Sequence, residues 1–302
     1  MTLSIFKRRP GARRFRSRAA WTTALLALFV LGTLLGLVGG AGAAATAVPL
    51  GTADSFAVLA GAGITNTGPT TVTGDLGTYP TTTMTGTASL TVDGANHAGD
   101  AVTQGAKTDL VTAYNTAAGE VPTSPIAADL GGQTLTPGVY NSASSIGLTG
   151  ALTLDAGGDP NAAFVFQAGS TLTTASGSRV NMINGTQSCN VFWQVGSSAT
   201  LGTGSNFRGT ILALTSITVT TGVTVDGRVL ARNGAVTLHT DTITKPSCAA
   251  TTTTAATNTT AAAKAKAAAK KKTAAAAKAK AAAKKKAAGH ARPARRHVGL
   301  TG

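Results

Sequence analysis

The side chains that could do chemistry are few: eleven Asp and Glu, four His and two Cys in 302 residues. Glycoside hydrolysis requires two carboxylates facing one bond. However, Asp75, Asp93 and Asp226 each stand beside a glycine, in the Gly-Asp or Asp-Gly pairs that make turns. Asp155 and Asp159 flank Gly157-Gly158, which suits a calcium loop on paper and a solvated loop more simply. His97, His239, His290 and His297 are scattered, and none lies at metal-ligand spacing from a cysteine. No Ser-His-Asp arrangement, phosphate loop or metal motif is present. The chain therefore reads as a protein with no catalytic residues, no cofactor and no metal.

Charge divides the chain into three. Residues 1–18 hold seven basic residues and no acid, and the twenty residues Ala19–Val38 hold no charge. Small residues follow, with A-x-A patterns at Ala43-Ala44-Ala45 and Ala45-Thr46-Ala47. Basic, apolar and small segments in that order make 1–47 a secretory signal. Twenty apolar residues also suffice to span a bilayer, so an uncleaved membrane anchor is the alternative. Residues 48–248 form a domain with six basic against eleven acidic residues, and 249–302 form a tail with thirteen basic residues and none acidic. The strongly basic total of +15 thus belongs to the two ends. The expected location is outside the cytoplasm, secreted or in the cell envelope. There Cys189 and Cys248 form a disulfide, because an even count in an exported chain leaves no orphan thiol. The tail repeats AAAKAKAAAKKK, has no apolar face and reads as disordered. Its partner would be an anionic wall polymer or lipid bound through charge rather than a specific nucleic acid. A solubilising extension is the plainer alternative.

The elements that would position any site come from the middle segment, rich in Thr, Gly, Val and Ala and poor in charge. β-Branched residues with Gly punctuation predict many short strands. Apolar residues recur at helical spacing only in 97–120, through Ala98, Ala101, Val102, Ala106, Leu110, Val111 and Tyr114. Asp100 puts an acid in the first turn of that helix, and Gly119 with Pro122 stops it. Further on, 201–213 (LGTGSNFRGTILA) aligns with 219–231 (VTTGVTVDGRVLA) at an offset of eighteen. Ile217, Val219 and Thr221 then fall against Val236, Leu238 and Thr240 at nineteen. In the first alignment Arg208 opposes Asp226, so charge is not repeated. That period suits one turn of a β-solenoid with three strands and three corners. A Thr/Gly-rich β-sandwich is the competing architecture.

A series of strings then resembles one known family. Leu50-Gly51-Thr52-Ala53 and Phe56-Ala57-Val58-Leu59-Ala60 open the series, followed by Gly63-Ile64-Thr65-Asn66-Thr67-Gly68 and Thr73-Gly74-Asp75-Leu76-Gly77. Pro137-Gly138-Val139-Tyr140, Asp159-Pro160-Asn161-Ala162, Phe164-Val165-Phe166-Gln167 and Asn190-Val191-Phe192-Trp193-Gln194-Val195 come next. Gly209-Thr210-Ile211-Leu212-Ala213 and Gly227-Arg228-Val229-Leu230-Ala231 close it. Across about 48–246 these strings are similar to the microbial ice-binding protein family. The resemblance implies an all-β fold with one long helix: a right-handed discontinuous β-solenoid of triangular cross-section with the helix packed alongside. It implies that coils do not stack in strict chain order, and that ice or ordered water is held by a flat Thr-rich face. The family's T-G/A-x-T/N pattern occurs at Thr67-Gly68-Pro69-Thr70, Thr203-Gly204-Ser205-Asn206 and Thr221-Gly222-Val223-Thr224. The expected ice-binding residues are therefore Thr67, Thr70, Thr203, Asn206, Thr221 and Thr224. The same strings also serve as solenoid corners, and a surface adhesion module that uses the fold without binding ice is the alternative function.

Overall fold

A strand that alternates apolar and polar residues must bury one side and pair both backbone edges. Short strands separated by tight corners do this by winding into coils and stacking coil on coil. The computed structural model, which describes residues 44–248, shows such a stack: every strand pairing in it is parallel. Each coil contributes a strand to three faces, with the apolar core inside.

The repeat is visible in the register. Strands Asn206–Ala213 and Thr224–Ala231 pair along their whole length, from Asn206 with Thr224 to Ala213 with Ala231, the offset of eighteen. Ile217 lies beside Val236, the offset of nineteen. The opposed Arg208 and Asp226 form an ion pair between neighbouring coils. Both long strands bend at a glycine to pass from one face to the next. Gly227 leaves no alternative, because a Cβ there would lie 1.9 Å from the carbonyl oxygen of Gly209.

Coils do not stack in chain order. The first strand, Phe56–Ala60, pairs with the late strand Thr224–Ala231 on one side and with Asp75–Thr78 on the other. Ile64–Thr67 likewise joins Val236–His239, and Thr70–Thr73 joins Thr242–Thr244. The N-terminal coils thus continue the stack beyond the C-terminal coil. In the other direction coils lengthen: Val139 pairs with Val165 and Val165 with Phe192, spacings of 26 and 27 residues. Inside these larger coils Tyr140, Phe166, Trp193 and Phe207 form a column, with Phe166 and Trp193 stacked at 3.9 Å between ring centroids.

Helix α1 (Ala101–Gly119) covers one face. It begins later than the expected 97–120, because 96–98 form a strand beside Leu76–Thr78 and Asp100 is the N-cap, accepting the backbone N–H of Thr103 at 2.8 Å. Ala106, Leu110, Ala113 and Ala117 make its buried stripe against Phe56, Leu59, Val165, Phe192, Leu212 and Leu230. Polar side chains secure both ends. Lys107 Nζ donates to the carbonyls of Ala231 and Arg232 at 2.7 and 2.5 Å, and burial lowers its pKa to about 8. Gln167 Nε2 donates to the carbonyls of Ala117 and Glu120, taking up acceptors at the helix C-terminus. Cys189 and Cys248 form a disulfide with Cα atoms 6.1 Å apart, tying the end of the domain to its middle. The signal or anchor assigned to 1–47, up to residue 43, and the basic tail from 249 onward lie outside the described residues. No helix among the described residues is long and apolar enough to cross a membrane.

Asp241 is buried at a corner, where its carboxylate accepts the backbone N–H groups of Val223 and His239 at 3.0 and 2.6 Å. Desolvation dominates, raising its pKa to about 6 despite those bonds. The folded state therefore takes up a proton that the unfolded chain releases until about pH 4, and stability rises as pH falls through 6. Carboxylates with lowered pKa values, Asp100 at about 2 among them, lose their contribution only at lower pH. Wild-type protein should melt higher at pH 5 than at pH 7, by roughly 2–4 °C per kcal/mol gained. Asp241→Asn should remove that rise in calorimetry.

Candidate functional site

Of the three faces, one lies under α1 and two are open. The first open face consists of Ile146–Leu148, Leu172–Thr174, Ala199–Leu201, Ile217–Val219, Val236–His239, Ile64–Thr67 and Met84–Thr85, stacked in that order. Side chains alternate across it. Ile146, Leu172, Ala199, Ile217, Val236 and Ile64 point inward and are buried. Their neighbours point outward, and the register aligns Thr173, Thr200, Thr218, Thr237, Thr65 and Thr85 in one unbroken row. Stacked coils repeat at about 4.8 Å, so this row is a threonine ladder of fixed pitch. At one end of it two hydroxyls meet, Thr85 Oγ1 donating to Thr65 Oγ1 at 3.3 Å. Beside the ladder Ser145 and Thr171 form a similar pair at 2.8 Å. None of the seven strands contains Asp, Glu, Lys or Arg; His239 at one margin is the only titratable side chain among them.

The expected T-G-x-T residues lie at the corner beside this face and just beyond it. Gly204, Gly222 and Gly68 have φ of 66°, 74° and 78°, a left-handed turn that glycine enters without strain. Thr240 occupies the equivalent place in its own coil at φ 57°. The backbone N–H of Gly204 donates to Thr221 O at 3.0 Å and that of Gly222 to Thr240 O at 3.1 Å, so the corners stack. Thr67, Thr203 and Thr221 precede these residues and are exposed. Asn206 and Thr224 follow and are the first outward residues of the second open face, side by side in register. The structure therefore brings five of the six residues to the surface, grouped around the corner where the two open faces meet.

Thr70 does not belong with them: it is 1% exposed, and its hydroxyl accepts the backbone N–H of Asp241 at 3.1 Å. Its corner runs Gly68-Pro69-Thr70-Thr71, one residue longer than the equivalent Gly222-Val223-Thr224. The register consequently places Thr71, not Thr70, beside Thr242 and Thr224, and a slip of one residue turns a side chain to the opposite side of a strand. The ladder itself was missed by the sequence reading. Thr218 and Thr237 stood inside the aligned repeats, but the match to Thr65 crosses from the end of the domain to its start.

The acids have ordinary tasks. Asp155 accepts the backbone N–H of Gly157 and the side-chain amide of Asn184, and Asp159 accepts the backbone N–H of Asn161. No group of three or more His, Cys, Asp and Glu at metal-binding distance occurs among the described residues.

The family model described as ice-binding-like matches residues 58–244, which span all three faces. The chain belongs to that family. An ice-binding protein of Nostoc sp. (strain HG1) is 54% identical over 202 residues, covering 66% of this chain and 75% of the relative. The crystal structure of an ice-binding protein from an Antarctic biological consortium superposes with a TM-score of 0.65 at 48% identity, over 67% of this chain and 92% of the other. That of an Antarctic ascomycete, Antarctomyces psychrotrophicus, gives 0.64 at 41% identity, over 66% and 98%.

The one-residue shift at the Gly68 corner has a measurable consequence. Thr70→Val leaves the buried N–H of Asp241 without an acceptor and should cost about 1–3 kcal/mol in denaturant unfolding. Thr71→Val, pointing to solvent, should stay within about 0.5 kcal/mol of wild type.

Proposed function

We propose that the protein adsorbs to ice through the threonine ladder of its first open face, as an exported antifreeze-type protein without catalytic activity. The observation that carries this reading is the row Thr173, Thr200, Thr218, Thr237, Thr65 and Thr85, regular in pitch and set in strands free of formal charge. Threonine suits such a row because its methyl group orders adjacent water while its hydroxyl bonds to that water. β-Branching restricts its rotamers, so little side-chain entropy remains to be lost on adsorption. Charged groups would hold their own oriented hydration and break the array. The relatives named as ice-binding proteins support the same reading. Thr67, Thr203 and Thr221 form its margin.

Export rests on the basic, apolar and A-x-A segments of 1–47, and tethering to anionic wall polymer or lipid on the thirteen positive charges after residue 248. The deciding measurement is thermal hysteresis together with ice-recrystallisation inhibition. Thr218→Tyr combined with Thr237→Tyr, at the centre of the ladder, should remove most of the activity without changing the melting temperature. Wild-type protein that is folded and inactive would sink the ice-binding reading and leave a surface adhesion module on the same fold. For the tether, a peptide of residues 249–302 should bind anionic polymer with an affinity that falls steeply with salt. Envelope retention unaffected by deleting the tail would reject it.

A further inference from the structure

The second open face carries an array of its own. It consists of strands Ala151–Asp155, Arg179–Ile183, Thr242–Thr244, Thr70–Thr73 and Leu90–Asp93, with the first halves of Asn206–Ala213 and Thr224–Ala231 between them. Along the row nearest the corner, the register aligns Asn206, Thr224, Thr242, Thr71 and Thr91, all exposed. Two positions further along the strands, Thr244 and Thr73 stand side by side in the next row. Val225, Ile243 and Val72 fill the core directly beneath.

Charges mark where the array stops. In the second row Asp226 adjoins Thr244 on one side and Asp93 adjoins Thr73 on the other. Beyond Asn206 the first row continues to Arg179, and Lys245 follows Thr244. Between these limits lie seven uncharged residues, six of them threonine.

The geometry points to a second ice-binding surface on this face, one that engages a different crystal plane from the first. The inference rests on the ice-binding reading of the threonine ladder and extends it. Two flat faces that meet at a corner cannot lie on one plane, so a molecule seated by one holds the other away from that plane. The same coils build both rows, however. Each row therefore advances by one coil spacing of about 4.8 Å, and any two planes recognised must both contain a lattice row matching that repeat. The T-G-x-T corners join the surfaces, with Thr221 beside the first and Thr224 opening the second.

Adsorption of fluorescently labelled protein to a single-crystal ice hemisphere tests this directly. Wild type should light two sets of planes. Thr71→Tyr with Thr242→Tyr should erase one set and keep the other, and Thr218→Tyr with Thr237→Tyr should do the reverse. Thr71→Lys with Thr242→Lys provides a soluble second version, and unchanged melting shows that each variant is folded. A single set in wild type, or a pattern that folded second-face variants leave untouched, overturns the second surface while the first stands. Wild type that adsorbs to no plane overturns both.

Discussion

Parallel coil-to-coil pairing is the constraint on which everything else in this molecule depends. Each coil satisfies its backbone groups only on the next, and where the coils are closest no Cβ fits, as between Gly227 and Gly209. Once coils are locked in register, whatever stands at one position of a coil is repeated at the spacing of the stack. The inner positions become the columns of Ile, Leu, Val and aromatic residues, and the outer positions become rows of threonine. A surface array of fixed pitch is thus a by-product of the same pairing that closes the core. It needs no pocket, and its rigidity is that of the backbone beneath it.

The three faces differ in what covers them. The face under α1 is buried by an alanine-rich stripe, and Gln167 from the coils takes up carbonyls at the helix end. The other two remain open. One is free of formal charge along its strands, whereas the other carries charges around its threonines, including Arg208 and Asp226 paired between coils. What looked in the sequence like a break in the repeat, one charge opposed to the other, is a cross-coil contact.

The solenoid and its helix were legible because their signals are local. The eighteen-residue alignment holds in the observed register from Asn206–Ala213 against Thr224–Ala231. Ala106, Leu110 and Tyr114 of the expected helix stripe are buried, whereas Ala98, Ala101 and Val102 face solvent and Ala113 and Ala117 complete the buried face. The larger coils were not legible, since extra residues around Gly157–Gly158 and 184–190 stretch their spacing to 26 and 27. The threonine ladder escaped for a related reason. Its members lie 27, 18 and 19 residues apart and then jump from Thr237 back to Thr65. A row assembled across such a jump leaves no period to find. Thr70 fell on the wrong side because Pro69 adds a residue to its corner, a change of phase that the motif Thr-Gly-x-Thr conceals.

The placement of Phe56–Ala60 against Thr224–Ala231 also orders events in time. This strand, the first among the described residues, finds one of its two neighbours only after some 170 further residues have followed it. Contacts of such long sequence separation slow folding. Until the last coil exists, one edge of that strand has no partner. The disulfide between Cys189 and Cys248 joins the late coils on which that opening segment docks. That bond therefore braces the coils on which the opening strand closes.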